Sequence, residues 1–359
     1  MSRRWVAFCG AWLLISSAGA QPASQSDPRE NVEPVVEAAE ALLAAFRGGP
    51  GGGARLMGID PQASLLLPFD DANREQWTYW PTQRAGLALE LMSAEQRMLV
   101  HDLLLSVLSS KGHSKVVQIM QLEQLLKVTD QGGLPRDVGH YTVVFFGEPS
   151  LEAPWAWRFE GHHVSLSVSV GPDGLGVTPS FLGANPGEIR TGPLAGFRVL
   201  SAEEDLGREL VSSLTPAQRE RAVLSETAPN DILTGNLGKQ REEWNAWRTT
   251  LEPAGIPVAE LNEVQRHWVR RILDEVVTSY RPEISAEYLE RVDVGTLSFA
   301  WMGSTERRAP HYYRLQGTDF VFELDNAQNQ GNHVHSVWRS KSADFGAEAL
   351  EQHYQAYHR

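Results

Sequence analysis

Apolar and polar positions follow two different periods along the chain. From Val35 to Phe46 apolar residues recur every three or four positions, which predicts an amphipathic, alanine-rich helix with Pro34 near its first turn. "GGPGGG", residues 48 to 53, breaks that pattern. Ser93-Ala94-Glu95-Gln96 has the spacing of a capping box, and Leu99, Leu103 and Leu104 continue an apolar face toward a glycine stop at Gly112. "SKVVQIMQLEQLLKV" predicts the next helix, closed by Gly132-Gly133. Further helices are expected over Ser201 to Leu224, with Thr215-Pro216 as an internal cap, over Val258 to Tyr280, and in "FGAEALEQHYQAYH".

Between these blocks the period drops to two, over residues 140 to 183 and 295 to 340. Val164 to Val170 alternates apolar residues with serine, and Phe320, Phe322 and Leu324 alternate with Val321, Glu323 and Asp325. The two segments match without gaps at an offset of 156, with Gly147 on Gly303, Pro154 on Pro310, Arg158 on Arg314 and Gly161 on Gly317. These residue types have backbone roles in turns and at strand starts. The expected fold is therefore α+β: antiparallel β-hairpin units, internally duplicated and surrounded by helices, in a single domain over residues 33 to 359. Shared positions should be scaffold. Residues present in one copy alone, such as His333-Val334-His335 and His162-His163, are better candidates for chemistry.

Composition narrows the class. Arg3 and Arg4, the apolar run Trp5 to Ile15 and the small residues Ala18-Gly19-Ala20 read as a signal peptide over residues 1 to 20, followed by a polar leader over 21 to 32. The expected location is periplasmic or extracellular, by the general secretory or the twin-arginine route. Cleavage would remove Cys9, the single cysteine, leaving neither disulfide nor thiolate chemistry. Losing Arg3 and Arg4 deepens the formal charge of −13 by two, which argues against nucleic acid or an anionic membrane as partner. No second apolar span follows, so stable membrane insertion is not expected. The partner is expected to be a metal or a small molecule.

In a strand, residues i and i+2 share a face, so His333 and His335 point the same way with Arg339 further along. Glu323 and Asp325 sit on the preceding strand, joined by "NAQNQG", and a hairpin would bring them close. Two histidines and a carboxylate can hold a divalent ion of zinc, iron, manganese or copper. The alternative is a pair of polar residues on a solvated hairpin face. In "EGHHVSL", strand alternation would send His162 and His163 to opposite faces, with His163 the better ligand candidate. Aromatic clusters such as Trp77, Tyr79 and Trp80 offer stacking surfaces for sugars, against the alternative of core packing. The chain lacks the nucleophile elbow G-x-S-x-G, the zinc motif H-E-x-x-H, a P-loop and a dinucleotide-binding glycine motif.

"REQWTYWPTQRAGLALELMSAEQR", "FFGEPS…WAWRFEGHHVSL" and "PHYYRLQGTDFVFELDNAQNQGNHVHSVWR…DFG" resemble the bacterial domain-of-unknown-function family numbered 3500, from about Val36 to Tyr357. The resemblance implies no activity. It singles out Trp77, Pro81, Gly147, Pro149, Trp157, Gly161, His162, His163 and Ser165, and in the second copy Tyr313, Gly317, Asp325, Asn326, Gln328, Asn329, Asn332, His333, His335, Trp338 and Arg339.

The reading that follows is an exported metal-dependent hydrolase of unspecified substrate. His333, His335, His163 and Asp325 would be ligands, with Arg339, Asn332 and Glu323 catalytic and Trp157, Tyr313, Trp338 and His162 contacting substrate. The alternative is a non-catalytic binding protein for a metal or a small ligand such as a glycan.

Overall fold

Two long runs of alternating residues meet at the middle of one mixed sheet. The computed structural model describes residues 28–47, 59–129, 133–134, 136–171, 174–236, 239 and 243–347. The expected signal peptide, the first part of the leader and nearly all of the expected last helix lie outside the described residues.

In chain order the first half contains α1 (Pro28–Arg47), α2 (Pro61–Leu65), β1 (Leu66–Leu67), β2 (Leu87–Ala88), α3 (Ala94–Leu105), α4 (Ser110–Thr129), β3 (Thr142–Phe146), β4 (Trp155–Gly161), β5 (Val164–Gly171), β6 (Gly174–Gly176) and β7 (Ser180–Ala184). The second half contains α5 (Ser201–Ser213), α6 (Pro216–Ala222), β8 (Val223–Ser225), α7 (Trp247–Thr250), β9 (Ile256–Pro257), α8 (Glu263–Val277) and α9 (Pro282–Arg291). It ends with β10 (Ser298–Gly303), β11 (His311–Gln316), β12 (Phe320–Ala327) and β13 (His333–Ser340). The fold is α+β.

The strands pair in the order β1-β3-β4-β5-β7-β13-β12-β11-β10-β8, with β2 added to β3, β6 to β5 and β9 to β10. Read inward from each edge, β1-β3-β4-β5-β7 and β8-β10-β11-β12-β13 occupy corresponding places and meet where β7 pairs antiparallel with β13. Residues related by the offset of 156 fall in corresponding strands, β4 with β11 and β5 with β12.

Alternation sorts the side chains onto two faces. Trp157, Phe159, Val164, Leu166, Tyr313, Leu315, Phe322, Leu324, Val334 and Trp338 join the main core with α1, α3, α4, α5, α8 and α9. The other face carries Arg158, Glu160, Ser165, Glu323, Asp325, His335 and Arg339, all buried. It lies beneath the segments after β1 and β8, where Trp77, Tyr79, Phe181, Ile232, Val337 and Phe345 form a smaller core. One face is thus apolar and the other is polar but covered, so each polar group there needs an identifiable partner.

Several local expectations shift. Ser93 caps α3 with the reciprocal Gln96 box, and Thr215 does the same for α6 through Gln218. Gly112 is not a stop: it lies in the first turn of α4, where a Cβ would sit 1.9 Å from Ser279 O, so it permits close packing against the end of α8. The block 201 to 224 divides into α5 and α6, and the block 258 to 280 opens with a short 3-10 turn before Asn262 caps α8. The leader's last residues belong to α1, where Val32 is buried. Among the described residues no helix is long and apolar enough to cross a membrane.

Candidate metal centre

The histidines converge at the end of the sheet where β5, β7 and β13 meet. His162 and His163 are not strand residues. Gly161 pairs with Val164, leaving the two histidines as a two-residue hairpin turn, with His163 at φ +64°. A left-handed conformation for such a residue costs about 1–3 kcal/mol and persists only where the surroundings impose it. Here the His163 N–H donates to Tyr79 O at 3.1 Å, and His163 O accepts from Gly183 N at 2.8 Å. Strand alternation therefore does not apply, and both rings face one pocket, tilted by 33° with centroids 3.7 Å apart.

Gly183 lies directly across from His335 on β13. A Cβ there would meet His163 Cδ2 at 2.9 Å and His335 Cδ2 at 3.1 Å, so glycine lets the two rings close over the strand between them. His163 Nε2 stands 2.7 Å from His333 Nε2, which in turn stands 3.1 Å from His335 Nε2. Burial, followed by the neighbouring histidines, holds the His163 pKa well below the imidazole range and lowers that of His333 to about 2. Both rings are neutral at physiological pH, which is the form that binds a metal.

The second nitrogen of His335 is fixed. His335 Nδ1 donates to Asp231 Oδ1 at 2.8 Å, and Asp231 Oδ2 accepts from Tyr79 OH at 3.0 Å. That bond directs the lone pair of Nε2 toward the other two rings, as outer carboxylates do for metal-bound histidines. His163, His333 and His335 thus each offer a ring nitrogen within 4.8 Å of the others. Nitrogens bound to one ion at about 2.0–2.1 Å lie about 3.0–3.4 Å apart, so the donor set fits a divalent cation after a small ring shift at the 2.7 Å pair. A pocket of about 110 Å³ opens beside them, lined by Tyr79, Trp80, Pro81, Leu134, Arg136 and Gln328 as well as the histidines.

A family described as "Protein of unknown function (DUF3500)" matches residues 29–347. The chain belongs to that family. No curated protein and no solved structure matches it.

In this DUF3500 chain the remaining expected site residues divide by position. Asp325 lies opposite His335 on β12, fully buried, and neither carboxylate oxygen completes a hydrogen bond among the described residues. Burial, then Asp231, raises its pKa to about 8, although the Ala327 amide pulls the other way. Together, Asp231, Asp325 and His335 form a second group of donor atoms, all within 4.8 Å of one another. Glu323, by contrast, is saturated. It accepts from Leu233 N (2.7 Å), Thr234 N (3.0 Å), Thr234 Oγ1 and Tyr312 OH (2.8 Å), which ties the covering segment to the sheet.

Arg339 shares the face of His333 and His335 but is not a free guanidinium for an anion. Its Nε donates to Asp344 Oδ2 at 2.7 Å and its Nη1 to Thr234 O, and the rings of Trp77 and Trp247 flank it. Asn332 turns away to the segment after β7, where its Oδ1 accepts from Glu188 N at 2.7 Å. Trp157, Tyr313 and Trp338 project from the helix-covered face, opposite the histidines, because each falls on the other phase of its strand. The structure brings none of these three to the pocket.

His162 does line the pocket, with Nδ1 hydrogen-bonded to Glu123 Oε2 of α4. Arg136 Nη1 lies 2.9 Å from His162 Nδ1 and 3.1 Å from Nε2. Asp231, Tyr79 as a hydrogen-bonding group, Glu123, Arg136 and Gly183 were not expected at the site. Asp231 lies 104 residues from its histidine on an irregular segment and leaves no periodic trace. Glu123 left one: a carboxylate on the buried stripe of α4 with Ile119, Met120 and Leu126.

Proposed function

We propose that this exported protein is a metal-dependent hydrolase whose cation is held by His163, His333 and His335. The observation that carries the reading is the convergence of three imidazole rings through their Nε2 atoms at a small pocket, with the outer nitrogen of His335 fixed by Asp231. A three-histidine set leaves coordination positions open, and a bound divalent ion supplies Lewis acidity to water or to a substrate carbonyl or phosphoryl oxygen. The donor set favours zinc or another borderline divalent ion. His162, backed by Glu123, stands at the same pocket within reach of a transferred proton. Arg136 takes the anion-holding role first assigned to Arg339, while Tyr79, Trp80 and Pro81 form an apolar wall suited to a small substrate.

Export is supported by the charged, apolar and small-residue succession over residues 1 to 20. The corresponding strand orders of the two halves support an origin by internal duplication, in which the second copy acquired the H-x-H. A second reading, a non-catalytic metal binder, is favoured by the depth of His163 and His335.

Elemental analysis of untagged protein tests the shared part of both readings. A stoichiometric metal that disappears in His333→Ala/His335→Ala is expected, and no metal under any loading condition removes both. Turnover on ester, amide and phosphoester panels, abolished in the double variant, separates enzyme from binder.

A further inference from the structure

Among the described residues, Asp325 is the carboxylate on the covered polar face whose two oxygens complete no hydrogen bond, although the Ala327 amide acts on it. Its neighbour two residues back, Glu323, has four donors. Asp325 is fully buried and completes no hydrogen bond with any described residue, yet it points to the same side of the sheet as His335 and Asp231. Two carboxylates and an imidazole nitrogen within one short radius form an oxygen-rich donor set for a divalent cation. An isolated buried carboxylate is otherwise costly, and a cation answers it directly.

We propose that a second divalent cation binds between Asp325, Asp231 and Nδ1 of His335, so that the His335 ring bridges two cations. The proposal rests on the three-histidine reading for the first ion. Without the second ion, His335 Nδ1–H donates to Asp231. On loading, that proton and the one held by the Asp325 carboxyl leave to solvent, and Nδ1, Asp231 and Asp325 turn to the cation. Tyr79 OH keeps Asp231 Oδ2 in place in either state. The arrangement suits hydrolytic chemistry in which one ion positions the substrate oxygen and the other the attacking water.

The test is the zinc and cobalt stoichiometry of the untagged full-length protein, stripped with chelator and titrated with each metal alone, with folding followed by circular dichroism. Wild type is expected to saturate at two ions per chain and Asp325→Asn at one. Asp231→Asn serves as the second variant if Asp325→Asn fails to fold. Saturation of wild type at one ion that is insensitive to both variants, but lost in His163→Ala, overturns the second site and leaves the three-histidine reading standing. One ion lost in Asp325→Asn and retained in His163→Ala keeps the carboxylate site and overturns the three-histidine reading. Two ions unaffected by either carboxylate variant also overturn the proposal, as does the absence of any ion.

Discussion

At one end of the β12–β13 pair, Glu323 and Arg339 are enclosed by partners. At the other, Asp325, His333 and His335 face one another with donors and acceptors left over. Both groups are polar and on the same sheet face, buried except for the half-buried His333, and the alternation of the strands places them there by the same rule. Glu323 and Arg339 both bind Thr234, and Arg339 also holds Asp344. Most of their polar atoms fasten the segments that cover the sheet, with Nη2 of Arg339 alone of these left over. Along one strand pair, therefore, residue type alone does not mark function. The convergence of several ligand atoms on one place does.

The sharpest way to break this contrast is to remove Arg339. Arg339→Ala strands the Asp344 carboxylate in the interior and empties the gap between Trp77 and Trp247, so a loss of about 3–5 kcal/mol is expected in urea unfolding. Metal binding per folded molecule should be unchanged. A stability loss under about 1 kcal/mol would contradict the role of Arg339 as a fastening.

His333→Ala/His335→Ala should do the reverse. Metal is lost, while the metal-free protein moves by less than in Arg339→Ala, about 1–3 kcal/mol, for the Asp231 bond and the ring packing that His335 gives up. Calorimetric titration beside the same unfolding curve reads both halves of that expectation.

Gly183→Ala tests the spacing. The new Cβ forces His163 and His335 apart, and metal affinity should fall about 10–100-fold with both ligands still present. Unchanged affinity would show that the rings do not need this close approach.

The last contrast is in pH dependence. Between the ordinary carboxyl range and about 8, folded Asp325 keeps a proton that the unfolded chain has released. Its contribution to stability is therefore present at low pH and lost as pH rises through about 8, by about 1.4 kcal/mol per pH unit within the window. Asp325→Asn removes that slope, so metal-free variant and wild type should diverge in the variant's favour as pH rises from 4 to 8. Parallel curves would mean that Asp325 is solvated after all. His163 and His333 titrate with the opposite sign. Held neutral when folded, they contribute stability above the ordinary imidazole pKa that is lost as pH falls below it.

How much of this could be read beforehand depended on the range of the interaction. The hairpins, the capping box at Ser93, the cap at Thr215 and the common face of His333 and His335 are set by neighbours in sequence, and all of these were legible. His163 was named as a ligand, but by strand alternation, whereas its ring reaches the others from a turn held by Tyr79 and Gly183. The fate of Arg339 hinged on two tryptophans and an aspartate from three other segments, which no local pattern encodes. Trp157, Tyr313 and Trp338 were misplaced for a simpler reason. Each lies on the phase of its strand that packs against the helices, away from the histidines, and the matching of Trp157 with Tyr313 marked that packing.

The hydrogen bond from Tyr79 to Asp231 has a consequence of its own. Each residue comes from a segment covering a different half of the sheet, and His163 reaches His333 and His335 across the same seam. Residues 190–196, which connect the halves, are exposed. A chain opened there would leave His163 on one fragment and the H-x-H on the other, so neither alone would own a complete ligand set. Metal capture would then report the rejoining of two separately made pieces.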